Sequence, residues 1–102
     1  MPFEPRYEET LSADGSTTWA RCEGPVWVSL SSSFGGGTAK IQRKDAAGSA
    51  VDIVGESHTV AADRVLDFAP GSVNEIRVNI ASSSSPTLAV SVQWQSRVYL
   101  NT

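Results

Sequence analysis

At 102 residues, 40% hydrophobic and 19% charged, the chain has the size and apolar content of a single domain with its own core. The net charge is −3, and Arg6, Arg21, Lys40, Arg43, Lys44, Arg64, Arg77 and Arg97 are spread along the sequence, which argues against a nucleic-acid partner. No run approaches the ~20 apolar residues of a bilayer-spanning helix, and one cysteine, Cys22, leaves neither an intrachain disulfide nor a cysteine-rich zinc site.

Residues 1–15 carry Pro2, Pro5, Glu4, Glu8 and Glu9 with little periodicity. Proline fixes φ and removes a ladder donor, so an extended arm is expected here rather than a central strand. The arm is either free or ordered against a neighbouring subunit, with Phe3, Tyr7 and Leu11 as anchors. Neither the basic start nor the apolar run of a signal peptide is present, so synthesis in a reducing cytoplasm is expected. Residues 16–102 then form one domain.

Residues 17–22 read as a first strand containing Trp19, and Cys22 as a small buried hydrophobe within it. Gly24-Pro25 breaks that strand. In residues 26–32, Val26, Val28 and Leu30 share one face, and in residues 38–43 Ala39 and Ile41 share one face. Ser33-Phe34-Gly35-Gly36-Gly37 joins the two, and its glycines predict a hairpin. Asp45–Ser49 is a second reversal, residues 50–54 a short strand, and Gly55-Glu56 a further turn. Residues 59–61 and 65–68 are strand candidates, with a single helical turn as the alternative, and Pro70-Gly71 is a stop.

Alternation is cleanest in residues 75–80, where Ile76, Val78 and Ile80 oppose Glu75, Arg77 and Asn79. A serine-rich loop, 82–86, leads to residues 87–94, with Leu88, Val90, Val92 and Trp94 on one face; residues 98–100 are a candidate last edge strand. Short strands with turn signals between them predict an all-β, antiparallel sandwich, jelly-roll or Ig-like, of about seven or eight strands. The abundance of serine, threonine, alanine and glycine suits such strands better than surface helices.

Chemistry-bearing motifs are sparse. The Gly35-Gly36-Gly37 run lacks the lysine-hydroxyl ending and following helix of a phosphate loop. His58 neighbours Ser57, with Asp63 and Asp67 near in sequence, but adjacent strand residues point to opposite faces. His58 is therefore expected to be a surface residue, not a catalytic base. Asp45, Asp52 and Glu56 are too irregularly spaced for a calcium loop. No cofactor, metal or catalytic residue is expected. Trp94 falls on a core-facing register, whereas Trp27 points away from the Val26–Val28 face. An indole buries roughly 150–250 Å², so cover for Trp27 by the arm, a subunit or a sugar ring is expected.

The run Leu30-Ser31-Ser32-Ser33-Phe34-Gly35-Gly36-Gly37-Thr38-Ala39-Lys40-Ile41-Gln42-Arg43-Lys44-Asp45, with Ile76-Arg77-Val78-Asn79 and the closing segment 82–94, resembles small β-sandwich structural proteins of tailed bacteriophages. The resemblance spans residues 26–94. It departs at 45–49, which lacks the tryptophan that often follows such a turn, and in the arm. It implies a non-enzymatic virion component that decorates the capsid or belongs to the neck or tail, made in the host cytoplasm. Its partners would be a major capsid protein, tail or neck proteins, and further copies of itself. The residues themselves, not the resemblance, make Phe3, Tyr7, Leu11 and Trp27 the candidate interface. The alternative is a carbohydrate-binding or adhesion module built on Trp27 or Trp19.

Overall fold

The computed structural model describes residues 5–95, an all-β arrangement of nine strands in two antiparallel sheets packed against each other. These are β1 (Arg6–Leu11), β2 (Gly15–Ser16), β3 (Ala20–Glu23), β4 (Val26–Ser33), β5 (Thr38–Lys44), β6 (Ala50–His58), β7 (Ala62–Leu66), β8 (Val73–Ala81) and β9 (Thr87–Trp94). One sheet has the order β1-β9-β4-β7 and the other β2-β8-β5-β6, with β3 also on β8. Phe3 and the 98–100 strand candidate lie outside the described residues.

Alternation decides what each sheet buries. Val26, Val28, Leu30, Leu88, Val90 and Val92 of the first sheet meet Ala39, Ile41, Ile76, Val78 and Ile80 of the second in one core. A pleated strand leaves its other face to solvent. Cys22 is buried there as expected, and burial pushes its thiol up to about 12, so it packs as a hydrophobe.

The predicted hairpin at residues 33–37 is instead an arch. β4 lies in the first sheet and β5 in the second, so the chain crosses the core rather than folding back beside itself. Phe34 is buried in the crossing, Gly37 N donates to Phe34 O at 2.9 Å, and Ser84 N donates to Gly35 O at 2.9 Å. Gly35 has φ +59°, and a Cβ there would stand 2.5 Å from Ser84 O. The glycines allow the chain to reverse, but the distant 82–86 loop makes that reversal an arch and not the expected hairpin.

The expected strand at 17–22 is split. Ser16 pairs with Asn79 and Ala20 with Ile76, so three residues (17–19) face two (77 and 78). Buried Thr17 accounts for the interruption, because its Oγ1 accepts from Val78 N at 3.1 Å and substitutes for a ladder bond. β2 and β3 are thus one strand carrying a bulge. A larger irregularity lies in β6: Gln42 pairs with Asp52 and Lys40 with Ser57, so residues 53–56 oppose Ile41 alone. The turn expected at Gly55-Glu56 is this outward loop.

The proline-containing N-terminal segment forms a strand. Arg6–Leu11 pairs in unbroken register with β9, from Arg6 on Gln93 to Leu11 on Leu88. β1 is an edge strand, the position where a neighbouring proline does least harm. With β1 placed, the pairings nest: β1 with β9, β2 and β3 with β8, β4 with β7, and β5 with β6. The chain runs as one long antiparallel ribbon whose tip is the reversal at residues 45–49. There Asp45 Oδ1 accepts from Ala47 N at 2.9 Å and Ser49 N at 2.8 Å.

Two carboxylates close the open sides of the sandwich. On one side Glu9 of β1 accepts from the Tyr7 hydroxyl and, at 3.0 Å, from Thr18 N between β2 and β3. On the other, buried Glu56 of β6 accepts from Arg64 of β7 through Nε at 2.8 Å and Nη2 at 3.0 Å. Each bond set ties one sheet to the other where the hydrophobic layer runs out.

Candidate functional site

The outward faces of the two sheets differ in how far their polar groups are already satisfied. On the β2-β8-β5-β6 face, Asp52 accepts from Gln42 Nε2 at 2.7 Å, and Gln42 Oε1 accepts from Arg77 Nε at 2.8 Å. The Arg77 guanidinium lies 4.5 Å and the Lys44 ammonium 5.0 Å from the centroid of the half-buried Trp19 ring. Lys44 also pairs with Glu75 and Lys40 with Asp52, both at 3.4 Å, and Asn79 Nδ2 donates to Ser16 Oγ at 2.7 Å. Hydrogen bonds from Gln42 and the nearby Lys40 hold Asp52 below the usual carboxylate range. Trp19 is therefore covered, and by two cations.

The β1-β9-β4-β7 face is built differently. Register places Val65, Trp27, Gln93 and Arg6 in one row across the four strands and Asp63, Ser29, Ser91 and Glu8 in the next; Ser31, Ala89 and Thr10 follow. Trp27 is 45% exposed and Val65 56%. Small side chains beyond Trp27 leave a shallow trough. Recesses of about 440, 310 and 250 Å³ follow one another along it, the first two sharing Trp27 and Gln93 and the last two sharing Ser29. Ser29 Oγ donates to Asp63 Oδ1 at 2.7 Å. No bond from the Ser31 or Ser91 hydroxyl to another described side chain is formed, and Asp63 Oδ2 is likewise open among the described residues.

Of the residues expected at an interface, Trp27 is presented to solvent. Leu11 is buried in the chain's own core, and Tyr7 is half-buried against it with its hydroxyl on Glu9, a bond that raises its pKa. Trp94 packs partly buried against the core. Asp45 is engaged in its turn and Asp52 in the opposite face. No cluster of three or more His, Cys, Asp or Glu able to hold a metal occurs among the described residues, and they contain no helix long and apolar enough to cross a membrane.

Sequence reasoning missed the Glu56 cluster. His58 is not a free surface residue: it is half-buried, with Nε2 2.9 Å from Glu56 Oε1, the oxygen that also takes Arg64 Nε. The Arg64 bonds, then the His58 bond, hold the Glu56 carboxyl below its ordinary value against the opposing effect of burial. Asp63 bonds Ser29, and Ser57 stands on the exposed side of the strand, so the residue types of a hydrolytic triad do not converge on His58. The i, i+2 spacing of Glu56 and His58 was visible, but the register shift in β6 and the reach of Arg64 from β7 to Glu56 were not.

No family model, curated protein or solved structure matches this chain.

Proposed function

We propose that the chain is a non-enzymatic structural component of a tailed-phage virion, a capsid decoration or head–tail accessory protein that works by protein–protein contact. The observation that carries the reading is the nested pairing. With β2 and β3 counted as one bulged strand, eight strands pair first with eighth, second with seventh, third with sixth and fourth with fifth. That winding supports a jelly roll, a fold of viral capsid and lectin domains. The Phe34-Gly35-Gly36 turn and its flanking strands, on which the resemblance to phage structural proteins rests, form the arch between the sheets.

Contacts through faces and loops fit this molecule better than strand addition. Natural edges are blunted by charge, shortness or bulges, and each edge here has one of these: Glu8 on β1, the interruption between β2 and β3, residues 53–56 in β6, and Asp63 with Arg64 on β7. Val54 in the β6 loop and Val60 in the turn after β6 are 97% and 70% exposed, apolar groups that a neighbouring subunit would cover.

Light scattering on the purified chain and co-sedimentation with phage heads and tails test the reading. A closed oligomer or attachment to the particle is expected, weakened in a Val54→Ser, Val60→Ser double variant that stays folded. A strict monomer that attaches to neither heads nor tails overturns it.

A further inference from the structure

From the trough on the β1-β9-β4-β7 face we infer that this surface binds a neutral polysaccharide, with Trp27 as the stacking platform. The inference does not rest on particle membership. A sugar ring has an apolar C–H face and a rim of hydroxyls, so it needs a flat, half-exposed aromatic beside donors and acceptors not already spent on the protein. Trp27 supplies the ring at 45% exposure. Within two rows of it lie Asp63, whose Oδ2 is open among the described residues and whose Oδ1 is held by Ser29, and the Ser91 hydroxyl.

The floor continues past Trp27 for four residues of β4, roughly 14 Å at strand rise, which is longer than a single ring and selects a chain of sugars. Charge selects the class. Arg6 is paired with Glu8 at 3.5 Å, and Arg64, which lines the same recess, commits its Nε and Nη2 to Glu56, so that among the described residues Asp63 is the charge beside Trp27 with no ionic partner. A carboxylate with no uncommitted cation beside it among the described residues repels uronic acids and phosphorylated glycans, and accepts hydrogen bonds from the vicinal hydroxyls of a neutral one. The opposite face offers no such platform: its tryptophan is capped by Lys44 and Arg77, and Gln42, Asp52 and Arg77 are bonded to one another.

Affinity electrophoresis through gels containing soluble glucan, mannan or galactan tests the inference, with polygalacturonate as the acidic control. Retardation by at least one neutral polymer is expected, weaker by about tenfold or more in Trp27→Ala, as for an aromatic hot spot. Asp63→Asn should weaken it less, and Trp19→Ala should leave it unchanged once its circular dichroism matches the parent. Intrinsic fluorescence titrated with the same polymer should shift in the parent and not in Trp27→Ala. No retardation in any neutral gel, retardation that survives Trp27→Ala, or retardation only by polygalacturonate overturns the inference. So does a Trp27→Ala variant whose sole defect is lost association with protein partners, which makes the trough a protein interface. A chain that binds glycan yet never attaches to a virion sustains this inference and removes the proposed function.

Discussion

Each outer face of the sandwich carries one tryptophan, and the two have opposite fates. Trp19 rises from the bulge between β2 and β3 and is met by Arg77 and Lys44 from β8 and β5. Trp27 stands mid-sheet, flanked across the strands by Val65 and Gln93. An indole's role in a β-sandwich is thus decided by its cross-strand neighbours. Long cations close over the π-face; a small apolar residue and an amide leave it open. On one face Gln42, Asp52 and Arg77 are spent on one another; on the other, Asp63 Oδ2 and the Ser31 and Ser91 hydroxyls are open among the described residues.

That contrast requires both faces to lean on one core, and the largest expected effect tests this. Ile41 is fully buried beneath the β2-β8-β5-β6 sheet. Ile41→Ala should cost about 2–5 kcal/mol in urea denaturation, with Trp19 and Trp27 fluorescence lost in a single transition. Separate transitions would mean two independently stable sheets and would break the comparison. Somewhat smaller is the effect of Gly35→Ala in the arch between the sheets. The positive φ and the approach to Ser84 O together should cost about 2 kcal/mol or more. A loss of only a few tenths would be the signature of a free hairpin turn.

The Glu56 cluster ties the rim of one sheet to the other. Glu56→Gln should cost about 1–3 kcal/mol, since Arg64 keeps its place with a weaker acceptor. Because the folded carboxyl titrates below its ordinary value of 4.5, its contribution is present above that pH and is lost as pH falls through the lower, folded value. Stability of the parent, followed from pH 7 to pH 3, should therefore drop more steeply on the acid side than that of Glu56→Gln. Parallel curves would show that Arg64 adds nothing to the ionised state.

Much of this was legible in the chain. Period-two alternation at 26–32, 75–80 and 87–94 named the inward residues, and with them the outward position of Trp27, from local information alone. What was not legible depended on partners distant in sequence. The turn at 33–37 has the same residues whether it makes a hairpin or an arch, and Ser84 and Pro86 decide which. The break at Thr17 depends on Val78, and the cover over Trp19 on Arg77. The N-terminal segment looked like an arm because Pro5 and two glutamates mask a strand whose register comes from β9. His58 looked superficial because nothing local shows that its neighbour Glu56 is buried against Arg64 of β7.

The smallest effect bears most directly on the two tryptophans. Trp19→Ala removes a half-buried ring and two cation contacts, which at partly exposed sites amount to about 0.5–1 kcal/mol each. Those two contacts set an expected destabilisation of about 1–2 kcal/mol. Trp27→Ala removes a half-exposed ring with no cation over it among the described residues and should cost less, under about 1 kcal/mol. Acrylamide quenching provides a second readout: with Trp94 common to both, Trp19→Ala should be quenched more steeply than Trp27→Ala, because it retains the open indole. Equal stabilities with equal quenching would mean that Trp27 is covered as well as Trp19. The polar groups around it would then be serving the fold, and the difference between the faces would carry no functional meaning.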